Sequence, residues 1–474
     1  MSNPKYKWIG TRPDRPDGAD KVTGRARFGA DFNLPGQLIG KVLRSPHAHA
    51  VIRSIDTSKA EALPGVKAIV TAKDFPEQAN LIVPTGEMQV NLKDITRNIM
   101  AREKALYEGH PVAAVAAISE AVAKQALALI KVDYKVLPHV IDVADAMKPG
   151  APILHEGMMT EGANPPATKP SNIAKRIEFK KGDAAAGFAQ AEIVIERDYS
   201  TQAVHQGYIE PHATLASAAE DGQVQLWSTT QGHFQVRGFC SKLLNIDTSQ
   251  IRVTPTEIGG GFGGKTIVSL EPVALALARK SGRPVKMRLS REDDFLVSGK
   301  RHPFSHDYRI GFNDQGLLLG LESTQWAHCG FSADLSGPVA DRAVFHTDNA
   351  YYLSDVQIES HRSHLNTQSH TAFRGFGGPQ GMMVIETVMG DIARLLQLDP
   401  LEVRLRNLYG AAPRNTTPYG MTVEDNILFG LRLASSKVPA SEHAAICRKY
   451  LDLMGLTDFA RAFPKTLSGG MRQR

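Results

Sequence analysis

Two short strings combine glycine with phenylalanine and a cation. Residues 259–266 read GGGFGGKT and residues 372–381 read AFRGFGGPQG. Glycine lets a backbone approach a bulky ligand closely, and successive loop amides present N–H groups to anionic or oxo groups. Phenylalanine supplies an apolar wall. Two such loops could therefore pinch one extended polar cofactor. The first string also spells a nucleotide phosphate loop, with a strand-like IRVTPTEI before it and a helix-like TIVSLEPVALALARK after it. Phosphoryl transfer further needs a magnesium-holding carboxylate at the end of an apolar strand. No such strand follows Thr266, so cofactor binding is the stronger expectation.

The elements that would position these loops are legible in outline. The chain has 474 residues, enough for two or three domains. GQLIGKVLRS, GVKAIVTA and PVAAVAAIS read as strands, and EAVAKQALALIKVDY as a helix followed by a strand. Residues 146–172 are rich in Pro, Gly and small polar residues and read as a linker. Beyond it, AEIVIERDYS, QVQLWSTT and HDYRIGFNDQGLLLGLEST read as strands, the last folded at DQG. SLEPVALALARKSG is expected as an amphipathic helix ending at Gly282, and MVIETVMGDIARLLQLDP as a helix stopped by Pro400. The overall expectation is a mixed α/β (α+β) fold: a domain over 1–150, a linker over 151–172, a second domain over 173–426 and an all-helical tail over 427–474.

Composition excludes several functions. Hydrophobic residues are 42% and charged residues 22%, with a net charge of +6. No block of five or six basic residues occurs, so nucleic acid is not an expected partner. The three cysteines, Cys240, Cys329 and Cys447, form no C-x-x-C pair. Neither a zinc site nor an iron–sulfur cluster is supported, and no residue is expected to ligate a metal directly. The polar N-terminus and the absence of an apolar run of 18 residues argue against a leader peptide and a transmembrane helix, and for a cytoplasmic protein.

Taken together, GADKVTGRARFGAD, RSPHAHAVI, YEGHPVAAVAA, QGYIEPHATLA, LWSTTQGHFQVR, EIGGGFGGK, RPVKMRLSREDDF, DRAVFHTDNAY, TAFRGFGGPQG and LDPLEVRLRNLY resemble the molybdopterin-binding large subunit of the xanthine dehydrogenase/aldehyde oxidase family. The resemblance runs in the family's order from residue 8 to about 426, close to 90% of the chain. It implies an N-terminal hammerhead-like domain and the first molybdopterin-binding domain. It implies that Gln231 hydrogen-bonds a molybdenum oxo group, beside Gly232. Gly260, Gly261, Phe262 and Gly263 would line the cofactor, with Arg374 and Gly375 also in contact. Arg342 would orient a substrate carbonyl, and Phe376 would stack on a flat substrate ring.

The implied cofactor is molybdenum–molybdopterin, as such or as the pterin dinucleotide. The implied reaction is hydroxylation of an aldehyde or N-heteroaromatic compound with water-derived oxygen. Electrons would leave through iron–sulfur and flavin groups on a 2Fe–2S subunit and an FAD-binding subunit, since this chain is expected to carry neither, and an oligomer is expected. Two departures stand out. Thr266 sits where purine-oxidising members tend to carry a glutamate. The second cofactor-binding half and the glutamate acting as general base lie beyond the point where the resemblance stops, and Glu210 is not that base by motif. The chain is therefore expected to be a truncated subunit, inactive alone, with a non-catalytic assembly role as one alternative.

From Thr422 onward, TVEDNILFGLRL and EHAAICRKYLDLMGLTDFARAFPKTLSGGMRQR resemble part of an ABC transporter ATPase of the nitrate/sulfonate/taurine type. This tail lacks its own phosphate loop and the aspartate after the signature. An ABC transporter component is the other alternative reading, and a chimera joined near TVEDNI accounts for both resemblances.

Overall fold

The strand Pro111–Ala117 explains much of one unit. Its small side chains alternate between two cores, as a pleated strand requires. Ala114 and Ala116 join the apolar cluster around Leu275 and Leu277. Ala113, Val115 and Ala117 face the other side, with Ala123 and Ala126 of the helix Glu120–Leu129. A strand buried on both faces reads as a continuous apolar run, which is how it appears in the sequence.

The computed structural model describes residues 11–85, 88–410, 413–421 and 439–453. It divides into two compact units: residues 1–137 with 206–298, and residues 138–205 with 299–474. The first unit holds a seven-stranded sheet in the order Ile251–Pro255, Val224–Ser228, Ala213–Ala218, Val285–Arg288, Leu38–Arg44, Pro111–Ala117, Val66–Thr71. Leu38 pairs in parallel with Val285. Each unit draws on two separate stretches of the chain. Strands from residues 38–117 and 213–288 share one sheet because their backbone N–H and C=O groups satisfy one another. Periodicity along the chain carries no sign of that pairing.

The helix Leu270–Ser281 ends, as expected, at a left-handed Gly282 with φ 63°. It is not amphipathic in practice. Every residue from Leu270 to Ala278 is buried, Glu271 included. Glu271 is tolerated because it accepts from the Ser228 hydroxyl (2.7 Å) and the Ser269 N–H (3.1 Å).

The second unit holds a five-stranded sheet in the order Ile193–Thr201, Phe304–Phe312, Leu318–Gly330, Val356–His364, Ile173–Lys181. Its core gathers Phe312, Leu321, Ile358, Val388 and Ile392. The helices Ser336–Val344 and Gly378–Leu396 belong to this unit. The latter ends at Gln397, left-handed with φ 54°, before Pro400 is reached. Pro400 instead starts the helix Pro400–Asn407, capped by Asp399. A proline at the first helical position loses no hydrogen bond, which is why it initiates here and does not terminate.

Residues 151–172 contain no regular element but are pinned within the second unit. The buried Leu154 N–H donates to Asn172 Oδ1 at 3.1 Å, and the His155 Nε2 meets Phe331 O at 2.6 Å. In the tail, Ala440–Leu453 is a helix, as expected. The signature string LSGGMRQR and the residues joining TVEDNI to the tail lie outside the described residues. No helix among the described residues is long and apolar enough to cross a membrane.

Candidate cofactor site

The first glycine loop is built on a turn. Phe262 has φ 53° and Gly263 φ 99°, and the Gly264 N–H donates to Gly261 O at 2.8 Å. Those are the φ values of a type I′ turn, in which the two central residues are left-handed. A phenylalanine there is strained, by about 1–2 kcal/mol, and strain of this kind clusters where a ligand is gripped. Phe262 is also 47% exposed, so burial does not offset the cost. Gly261 must lack a side chain. A Cβ there would meet Gln231 Oε1 at 2.6 Å.

Gln231 lies over this turn and is exposed. Its Oε1 accepts from the Gly263 N–H (3.0 Å) and the Lys265 N–H (3.2 Å), while its own N–H donates to Lys265 O (2.9 Å). Two N–H donors converging on one atom identify it as the oxygen. The amide nitrogen is left to donate outward. Gly232 follows as the cap of the helix His233–Leu244, with its N–H on Thr230 Oγ1 at 3.0 Å.

Below the loop is a buried ion pair. Lys265, 0% exposed, places Nζ 2.8 Å from Glu210 Oε2 and 4.9 Å from the Tyr208 ring centroid. Burial lowers the Lys265 pKa, and Glu210 works against that shift. Glu210 also accepts from the N–H groups of Gly29 (3.0 Å) and Gly259 (2.8 Å). Tyr208 donates to Asp294 at 2.8 Å, and Arg291 pairs with the same carboxylate at 3.0 Å. This arrangement excludes a phosphate loop. The lysine that would meet phosphate is sealed against a carboxylate, and the Gly263 and Lys265 amides are occupied by Gln231. The Thr266 hydroxyl donates to Gly263 O at 2.8 Å. Glu210, with three donors on its carboxylate, is not available as a general base.

The second loop repeats the turn in the other unit. Phe376 has φ 50°, Gly377 φ 96°, and the Gly378 N–H donates to Gly375 O at 2.9 Å. Gly375 is itself left-handed, with φ 102°. Gly377 must be glycine for a second reason: a Cβ would lie 2.0 Å from Val339 O. Arg301, not among the expected site residues, braces this loop. Its guanidinium lies 4.1 Å from the Phe373 ring centroid and donates to Arg374 O at 3.1 Å. No motif in the sequence analysis singles out Arg301.

Arg342 and Arg374 are both exposed, and neither guanidinium has an ion pair or hydrogen bond among the described residues. Arg342 sits in the helix Ser336–Val344. Phe376 is partly buried. The predicted residues thus fall into two groups. Gln231, Gly232 and Gly260–Gly263 share the first unit, with Gly260 left-handed at φ 93°; Arg342, Arg374, Gly375 and Phe376 share the second. No cluster of three or more His, Cys, Asp or Glu side chains that could hold a metal occurs among the described residues. Within the first unit, the outward Gln231 amide N–H₂ suits an oxygen-rich group; within the second, the exposed guanidiniums of Arg342 and Arg374 suit an anionic one.

Comparison with known proteins decides which family built these loops. A model of the molybdopterin cofactor-binding domain matches residues 166–408, and one of the aldehyde oxidase and xanthine dehydrogenase a/b hammerhead domain matches residues 23–138. The chain belongs to the xanthine dehydrogenase/aldehyde oxidase family of molybdenum-containing oxidoreductases. Within that family it is 34% identical over 396 residues to a probable xanthine dehydrogenase subunit of Bacillus subtilis (strain 168), covering 83% of this chain and 50% of that protein. It is 29% identical over 422 residues to the nicotinate dehydrogenase large molybdopterin subunit of Eubacterium barkeri, covering 89% and 94%. The aldehyde oxidoreductase from Desulfovibrio gigas superposes with a TM-score of 0.77 at 27% identity, over 88% of this chain and 45% of that one. The chain spans half or less of the xanthine dehydrogenase relatives compared, and nearly all of the nicotinate dehydrogenase subunit. Neither family model extends past residue 408.

Proposed function

We propose that this chain supplies part of the molybdopterin site of a molybdenum hydroxylase that oxidises an aldehyde or N-heteroaromatic substrate. The observation that carries the reading is the Gln231 amide: its oxygen is tied down by two loop N–H groups, so its nitrogen faces outward as a donor. When bound, the molybdenum cofactor accepts the electron pair and activates water-derived oxygen. Gln231 holds an oxygen of that group by hydrogen bonding. Gly260–Gly263 let the backbone come close, and Phe262 walls the site. Arg374 and Gly375 contribute cofactor contacts. Arg342, an exposed cation without an ion pair among the described residues, orients a substrate carbonyl and stabilises charge that develops on it. Phe376 stacks on a flat substrate ring.

A molybdopterin group, in plain or dinucleotide form, is the proposed cofactor. The iron–sulfur and flavin carriers belong to partner subunits. The relatives named as subunits support that division, above all the nicotinate dehydrogenase subunit that the chain matches almost end to end. Residence in the cytoplasm is part of the same proposal. Thr266 argues against purine substrates. The ATPase-like tail is proposed to be a separate fragment joined near TVEDNI; amplifying source DNA across codons 410–440 as one product is expected only if the fusion is real.

The test is elemental analysis. The full chain co-produced with its flanking subunits should carry about one molybdenum per chain, and Gln231→Ala should lower that content severalfold without lowering Tm. Stoichiometric molybdenum in Gln231→Ala would sink the assignment of Gln231. An ATP-stimulated turnover or a nucleotide-dependent rise in Tm would favour the transporter reading, against which the sealed Lys265 argues.

A further inference from the structure

We propose that Glu210 is a positioning residue for Gln231, acting through Lys265. The proposal rests on the reading of Gln231 as the donor toward the cofactor, but its structural part stands on contacts within one unit. Glu210 is 13% exposed, and all its partners are donors: Gly29 N–H, Gly259 N–H and the Lys265 ammonium. Only an acceptor with no hydrogen of its own satisfies all three, which is what a carboxylate is. The Glu210 N–H also donates to Gly259 O at 3.2 Å, so Glu210 grips the loop by main chain and side chain together.

The grip reaches Gln231 through one residue. Lys265 buries its ammonium against Glu210 while its main chain faces the other way. Its C=O accepts from the Gln231 N–H (2.9 Å), and its N–H donates to Gln231 Oε1 (3.2 Å). A terminal amide turned by half a revolution swaps oxygen for nitrogen with almost no change of shape. What prevents that swap is the pair of N–H donors from Gly263 and Lys265, and the Lys265 donor stays in place while its side chain is anchored. A buried ammonium without its counter-charge must deprotonate or leave. Either outcome frees the Lys265 main chain, and with it the choice of which face Gln231 presents.

Hydrogen exchange on the full chain without cofactor tests this. Glu210→Gln sets an N–H₂ against either the Gly29 N–H or the pair formed by the Gly259 N–H and the Lys265 ammonium. We expect the amides of Gly263 and Lys265 to exchange about tenfold faster, with Glu210→Asp restoring much of the protection. Leu226→Ala, which opens a core cavity in the same unit, should lower Tm comparably and leave those amides slow. In a Gln231→Ala background, Glu210→Gln should add little, because the bonds it would release are already gone. Unchanged exchange in Glu210→Gln, an equal rise in Leu226→Ala, or full additivity with Gln231→Ala would each overturn the proposal. If Glu210→Gln does not fold, Glu210→Gln with Lys265→Met removes both charges and is expected to loosen the same two amides; protection there would overturn it equally. Molybdenum content, measured separately, tests the cofactor reading: a chain that never binds molybdenum while Glu210→Gln loosens the loop would retain this proposal and lose that one.

Discussion

The two Gly-Phe-Gly-Gly loops adopt the same turn and are supported in opposite ways. Phe262 and Phe376 have φ 53° and 50°, and the glycines after them φ 99° and 96°. The first turn spends its amides on a side chain, Gln231, and stands on the ion pair between Lys265 and Glu210. The second runs straight into the helix Gly378–Leu396 and stands on close backbone packing, with Gly377 against Val339 O. Four residues thus fix a turn and leave its use open. One loop is held by charge and presents a hydrogen-bond donor. The other is held by steric fit and presents the phenylalanine and its neighbouring cation.

That contrast breaks most easily with acid. Burial holds His302 and His364 down to about 3 and His306 to about 4, all in the second unit, whereas His110, at about 4, is the corresponding group in the first. These folded-state values lie below the ordinary 6.5, so the unfolded chain takes up protons first as pH falls. Stability is intact above pH 6.5 and is lost as pH falls from there to about 4 for His306 and to about 3 for His302 and His364, by up to about 1.4 kcal/mol per pH unit for each histidine. Asp334, raised to about 6 by burial, works the other way but stands against these histidines and against His328, His361 and His370, which burial also lowers. Acid should therefore release the second loop before the first, as monitored by hydrogen exchange along the chain. Simultaneous loss of protection in both loops would count against this.

Gly377→Ala should come next. The added Cβ has Val339 O at 2.0 Å and a backbone at φ 96°, so a loss of about 4 kcal/mol is expected in urea denaturation. Lys265→Met attacks the other kind of support. It strands the Glu210 carboxylate with only two amide donors and should cost about 3 kcal/mol, in the first unit alone. Smallest is Phe262→Gly, which relieves a left-handed phenylalanine that is 47% exposed. It should gain about 1 kcal/mol while molybdenum content falls. Phe376→Gly should gain less, because Phe376 is partly buried and gives up contacts. Equal stabilisation by the two substitutions would show that the loops are supported alike.

The candidate residues were visible in the sequence because type and order are written there. Gly-Phe-Gly-Gly occurs twice, and the motifs run in a family's order. Strand and helix positions followed from apolar runs and caps, as at Pro111–Ala117 and Gly282. What the sequence left undecided is what a residue faces. Leu270–Ser281 carries a helical pattern, yet its first nine residues are buried on every side by elements distant in the chain. Pro400 reads as a stop and acts as a start, because Gln397 had already closed the preceding helix.

Local chemistry, then, marked the two glycine loops as candidates for cofactor contact, because backbone freedom, charge and ring shape belong to the residue itself. Tertiary structure alone decided that the lysine of GGGFGGKT turns inward to Glu210 while Gln231 turns outward. Burial and counter-charge are set by residues far away in the chain, and no spacing along it records them.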